Sequence, residues 1–170
     1  MKKSIILLFA VSVSLFSCKK VVEELEAIGK FTSTISGDVS KQFDGNAAFV
    51  HTITVQGTPK GSSLVIGLSL LTDQSETIGL SLLDNSISGI SAGTYELNSS
   101  GIGTTFVPVY TNGQVVYALP DATKTNKITI NSVKDLRVEG TFEVNLIEAS
   151  TQKAIKIAGA FDAVGTTESK

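Results

Sequence analysis

The chain is poor in the residues that build covalent cross-links, metal centres and aromatic platforms. Its 170 residues include one cysteine, one histidine, three prolines and no tryptophan. A single cysteine excludes an intramolecular disulfide, so packing and hydrogen bonding must stabilise the fold. One histidine falls short of the ligand set of a zinc site. The absence of tryptophan weighs against a carbohydrate-binding face built on indole rings, although tyrosine could take that role.

The N-terminal residues have the pattern of an export signal. Lys2 and Lys3 precede an apolar run over residues 4–15 that only serines interrupt. The run is about a dozen residues long, shorter than the ~20 that a membrane-spanning helix needs. It is typical of the hydrophobic region of a secretory signal peptide. We therefore predict a signal peptide over residues 1–17.

A lipobox ends this segment, with Leu15, Phe16 and Ser17 directly before Cys18. The cysteine thiol can accept diacylglycerol through a thioether, and the small Ser17 gives a signal peptidase access to the bond. Phe16 is larger than the usual occupant. A protein with more than one acyl chain is anchored stably, whereas a single chain holds it only marginally. The alternative is an ordinary secretory signal followed by an unmodified cysteine.

We expect lipid on Cys18 to attach the protein to a membrane of the cell envelope. The outer membrane is favoured over the inner one, and the periplasmic and surface faces stay open. We divide the rest into a lipidated tether over 18–30, a single β-domain over 31–165 and a tail over 166–170. Apolar residues at helical spacing within 21–28 predict a short helix in the tether.

Removal of residues 1–17 leaves 153 residues (170 minus 17), about one domain's worth. Lys2 and Lys3 leave with the signal, so 12 basic residues face 16 acidic ones and the net charge is about −4. No basic stripe is present, so nucleic acid is not an expected partner.

From residue 31 onward, apolar residues recur at every second position, as in strands with one buried face. Residues 66–71 recur as 78–83, which predicts a hairpin with Ile66, Leu68 and Leu70 buried. Asn112-Gly113 predicts a second hairpin, with Tyr110 paired with Val115, and Pro108 places its strand at a sheet edge. We predict an all-β fold of about 9–10 strands, either an antiparallel β-sandwich or a lipocalin-like barrel.

The lipobox and several strand segments resemble small β-rich envelope lipoproteins of unknown function from Bacteroidetes. The matching segments are Phe31-Thr32-Ser33-Thr34-Ile35, Gly93-Thr94-Tyr95, Val138-Glu139-Gly140-Thr141-Phe142 and Gly159-Ala160-Phe161. The resemblance covers most of residues 31–164, but residues 40–45 replace the shorter turn of that family. It implies a β fold and an envelope location, and it implies no activity.

Two features of the sequence have the residue types of a catalytic site but not its pattern. Gly89-Ile90-Ser91-Ala92-Gly93 has the spacing of a nucleophile elbow, but it leads into a predicted strand, and His51 precedes it in the chain. His51 lies among apolar residues, which predicts a partly buried side chain with a hydrogen-bond partner. We predict no catalytic residue, no metal site and no cofactor.

Tyr95, Tyr110 and Tyr117 form a possible ligand surface, because tyrosine combines a flat apolar ring with a hydroxyl. The alternative for Tyr110 and Tyr117 is a buried pair with satisfied hydroxyls. The predicted function is a non-enzymatic binding or interaction module for a glycan, a protein or a small apolar ligand. A lipocalin-like carrier, a hydrolase using Ser91 or paired acids, and an accessory lipoprotein are the alternatives.

Overall fold

The computed structural model describes residues 28–55, 60–70, 75–97, 104–134 and 136–169, with side chains as far as residue 165. Every regular element in these ranges is a strand, which confirms the all-β prediction. None of the described segments forms a helix long and apolar enough to cross a membrane. The predicted signal peptide, lipobox, lipidation site and most of the tether helix fall in residues 1–27, outside the described residues.

Alternation of apolar and polar side chains extends over most of the described chain and gives eleven strands. They are β1 (Lys30–Gly37), β2 (Lys41–Gln42), β3 (Gly45–Thr54), β4 (Gly61–Ser69), β5 (Glu76–Asp84), β6 (Gly93–Glu96), β7 (Thr104–Asn112), β8 (Val115–Pro120), β9 (Lys127–Lys134), β10 (Arg137–Glu148) and β11 (Ala154–Ser169).

The strands belong to one sheet in the order β2-β1-β11-β3-β4-β5-β7-β8-β10-β9-β6, with further pairings of β10 with β11 and β1 with β3. These pairings close the hydrogen bonding into a ring that is not a true barrel. On one edge of β10, β8 pairs only near residues 146–148, whereas β9 pairs along residues 137–143. β9 and β6 therefore extend the sheet outside the ring.

The pairing of β11 with β3 is parallel and differs from the all-antiparallel expectation. Residues 164–169 of β11 lie beside residues 48–53 of β3. Because of this backbone pairing with β3, β11 extends to Ser169. Residues 166–169, which the sequence indicated as part of a tail, therefore belong to a strand. Similarly, β1 begins at Lys30, inside the predicted tether, because Lys30 already pairs with Asp162 and Asn46.

The inner face of the ring is filled by one apolar cluster, to which β4 and β5 contribute a matched layer. Ile66 pairs with Leu80 and Leu68 with Ile78, and all four side chains are fully buried. This confirms the hairpin predicted from the internal repeat. The prediction for Leu70 is wrong: this side chain is 37% exposed, because β4 ends at Ser69 and the alternation ends with it.

The predicted β7–β8 hairpin forms, but its register differs from the prediction: Asn112 pairs with Val115 and Tyr110 with Tyr117, so the turn residues are Gly113, with a φ of 61°, and Gln114. The prediction that Pro108 lies on an edge strand is wrong, because β7 lies between β5 and β8 in the sheet. β5 pairs with the whole of β7, including Leu80 with Pro108, whereas β8 pairs only with residues 110–112. Pro108 thus lies where β7 has no β8 partner, and its missing N–H removes no hydrogen bond from that pairing.

Candidate functional site: a cavity beside Tyr117

The β7–β8 pairing brings two of the three tyrosines together inside the domain. Tyr110 and Tyr117 are register partners, their ring centroids lie 5.7 Å apart, and the rings are tilted by 41°. Tyr110 is 0% exposed and Tyr117 is 3% exposed. Their rings therefore form a buried pair and no exposed patch. Tyr95 is half-buried on β6, a separate part of the sheet.

The hydroxyls of these tyrosines differ in their partners. The Tyr110 hydroxyl donates to Glu76 Oε1 at 2.6 Å, and Glu76 Oε2 accepts from Lys41 Nζ at 2.6 Å. Burial, followed by the Glu76 carboxylate, raises the pKa of Tyr110 far above its ordinary value. The Tyr95 hydroxyl donates to the Ser91 carbonyl at 2.8 Å. Among the described residues, Tyr117 is the one tyrosine whose hydroxyl has no hydrogen-bond partner.

Tyr117 lines a cavity of about 490 Å³ at one end of the sheet ring. The end of β1, the β7–β8 turn and the β10–β11 turn form its walls. Five side chains around Tyr117 define the chemistry of the cavity: Asp38, Val39, Gln114, Glu148 and Lys153. The cavity volume falls in the range of small-molecule sites, about 300–1,000 Å³.

Glu148 is fixed in the cavity wall by the β10–β11 turn. Its carboxylate accepts hydrogen bonds from the backbone N–H groups of Ser150 and Thr151 at 3.0 and 2.7 Å, and from both hydroxyls. These donors lower the pKa of Glu148 to about 2. Each carboxylate oxygen therefore already has two donors, and Glu148 is ionised at neutral pH.

Asp38 supplies the second carboxylate, and its Oδ2 accepts from the Ala154 N–H at 2.5 Å. Burial raises the pKa of Tyr117, and the negative charges of Asp38 and Glu148 raise it further. The phenol is thus protonated at neutral pH. It is a hydrogen-bond donor held in the field of two carboxylates that line the same cavity.

The cavity lies at the end of β1 that is distant from the N-terminal segment. Asp38 follows the last residue of β1, whereas Lys30 begins the strand and connects to the preceding residues. At ~3.3 Å per residue, these two ends lie roughly 23 Å apart. The opening beside Tyr117 and the start of the domain are therefore well separated.

The residues weighed for catalysis do not form a hydrolytic site in the described structure. His51 is 4% exposed, and its Nε2 accepts a hydrogen bond from the Ile90 N–H at 3.1 Å. This confirms the predicted buried histidine with a partner, and burial lowers the pKa of His51. Ser91 is exposed in the loop before β6, and its hydroxyl makes no hydrogen bond with His51 or a carboxylate.

Metal ligands are not clustered in the parts of the chain that the structure describes: no group of three or more His, Cys, Asp or Glu side chains could hold an ion there. Comparison of the chain with protein-family models, curated proteins and solved structures yields no match. The resemblance to Bacteroidetes envelope lipoproteins stays a prediction from the sequence.

The sequence indicated Tyr117 but not the surroundings that make it a candidate site. Asp38 and Glu148 lie 110 positions apart in the chain and meet only because β11 pairs with both β1 and β10. Loop residues of this kind have ordinary turn chemistry. No local signal in the sequence could therefore have assigned them to one cavity.

Proposed function

We propose that the protein is a lipid-anchored binding module of the cell envelope, tethered by Cys18, whose recognition site is the cavity beside Tyr117. The module is non-enzymatic, with no cofactor. The observation that carries this proposal is the Tyr117 side chain, which lines a cavity at the end of the domain distant from Lys30 and whose hydroxyl has no hydrogen-bond partner among the described residues. A hydroxyl that donates to no group of the protein and faces a cavity is free to donate to a bound ligand.

The filled interior supports a sandwich-like scaffold over a lipocalin-like carrier. A carrier needs an apolar space within its barrel. Here the inner face is covered by large buried side chains, including Phe106, Leu64 and Ile128, which pack in one cluster. We infer that ligand binding takes place at the end of this scaffold and not within it.

The length of β10 allows a test of how the domain is oriented relative to the membrane. Its 12 residues extend roughly 36 Å at ~3.3 Å per step, from Arg137 near the tether end to Glu148 in the cavity wall. Gln114 is exposed at the cavity, and Lys134 is exposed where β9 meets the other end of β10. Labels at these two positions therefore report the two ends of the domain separately.

The experiment uses the acylated protein in vesicles that contain a headgroup-attached fluorescence acceptor. Gln114→Cys and Lys134→Cys are labelled with a donor dye, because acylated Cys18 has no free thiol. We expect weaker energy transfer from position 114 than from position 134. Equal transfer, or stronger transfer from position 114, contradicts the proposed orientation. Cys18→Ala should move the protein from the detergent phase to the aqueous phase, and unchanged partitioning contradicts the anchor.

A further inference from the structure

The Tyr117 hydroxyl is a donor whose position is fixed by its ring. The ring is 3% exposed and packs against Tyr110, so the side chain cannot turn outward to solvent without breaking that pair. The hydroxyls of Tyr95 and Tyr110 are both satisfied within the protein. The Tyr117 hydroxyl is thus available at the cavity for an acceptor on a bound molecule.

The charges around Tyr117 disfavour an ionic ligand of either sign. Asp38 and Glu148 repel an anion, and the single Lys153 ammonium in the lining does not balance these two carboxylates. A cation needs free carboxylate lone pairs, but Glu148 already accepts four hydrogen bonds within its own turn. Asp38 also accepts from a backbone amide. Asp38 accepts this bond through Oδ2 alone, so its Oδ1 can still accept from a hydroxyl group of a ligand.

The other side chains that line the cavity include both polar and apolar groups. The amide of Gln114 can donate and accept, the Lys153 ammonium can donate, and Val39 and Val115 present methyl groups. Val115 is 44% exposed, so its apolar surface is open to a ligand. A molecule that carries hydroxyls on its edges and C–H groups on its faces matches this arrangement.

We propose that the cavity beside Tyr117 binds a neutral saccharide of one or two sugar rings, with the Tyr117 hydroxyl donating to a sugar oxygen. This inference rests on the proposed function and names the ligand class of the same site. Recognition relies on hydrogen bonds and aliphatic contacts, so it does not require the tryptophan that the chain lacks. The cavity volume of about 490 Å³ accommodates a ligand of this size.

The test uses vesicles that carry the acylated protein and a printed array of glycans with neutral, sialylated and sulfated ends. Display on vesicles makes binding multivalent, which strengthens the weak affinity of a single site. We expect the wild type to retain a subset of the neutral glycans. Tyr117→Phe keeps the ring and removes one hydrogen bond, and it should weaken binding of those glycans roughly tenfold.

Two further variants separate recognition from folding. Gln114→Ala changes an exposed residue at the cavity rim and should weaken binding severalfold. Tyr95→Phe removes a hydroxyl outside the cavity and should leave binding unchanged. Absence of any retained neutral glycan, preference for sialylated or sulfated glycans, or wild-type binding by Tyr117→Phe overturns the inference. If the dye labels confirm the orientation while the array shows no binding, only the saccharide class is lost.

Discussion

Replacement of Asn126 by alanine should destabilise the fold by about 2–4 kcal/mol. Asn126 is 3% exposed and connects the loop before β9 to β10. Its Oδ1 accepts from the Asn145 N–H at 2.6 Å, and its Nδ2 donates to the carbonyls of Asp121 and Lys124 at 2.9 and 3.1 Å.

The magnitude follows from what alanine leaves unpaired. The buried N–H of Asn145 loses its acceptor, and an orphaned buried donor costs about 1–3 kcal/mol. The two carbonyls are only partly buried, and the Lys124 N–H still donates to Asp121 O, so the lost donors add about 1 kcal/mol together.

Urea denaturation followed by circular dichroism measures this difference. Asn131→Ala is the matched control, because Asn131 is an exposed asparagine on the neighbouring strand and its loss should change stability by no more than about 0.5 kcal/mol. If Asn126→Ala unfolds at the same urea concentration as Asn131→Ala, the buried asparagine does not hold the loop and this reasoning fails.

Four other substitutions give three independent checks. Gly140→Ala should lower the free energy of unfolding by about 2–3 kcal/mol, since the new Cβ would collide with the Thr129 carbonyl and lie 2.6 Å from the Phe161 ring. Gly67→Ala should raise it by about 0.5 kcal/mol, because no atom lies within 4 Å of the new Cβ. Equal thermal midpoints of the two variants would contradict both expectations. Tyr110→Phe leaves the Glu76 carboxylate without one donor and should cost about 1–3 kcal/mol in urea denaturation; no loss would show that this bond is not stabilising. The pKa of Glu148 is lowered from 4.5 to about 2 in the folded protein, so its contribution to the folding stability is complete above pH 4.5 and is lost as the pH falls toward 2. Glu148→Gln should therefore lose less stability than the wild type over this pH range. Identical acid-unfolding profiles of the two proteins would contradict this expectation.

The faces of the strands were predictable, because alternation is a local property. Ile66, Leu68, Leu80 and Phe106 all lie on the inner face, as period-two patterning requires. The prediction fails at Leu70 because the repeat continues to residue 71, two residues after β4 ends at Ser69. Strand boundaries depend on where the partner strand ends, which the local pattern does not contain.

The closure of the ring could not be derived from the pattern. β11 pairs with β1, β3 and β10 along different parts of its 16 residues, and one of these pairings is parallel. Nothing in alternation selects partners so distant in sequence. The same limit applies to the candidate site, since its carboxylates come from turns that only this closure brings together. The β7–β8 hairpin was predictable from Asn112-Gly113, but its register was not: the turn lies one residue later, which places Tyr110 opposite Tyr117 and not opposite Val115.

The central claim is that Cys18 carries the lipid that holds this domain at a membrane. Mass spectrometry of the N-terminal peptide from the membrane fraction tests it most directly. We predict a mature chain that begins at Cys18 and carries diacylglycerol on the thiol, with residues 1–17 removed. A free Cys18 thiol on a chain that retains its first 17 residues would contradict the account.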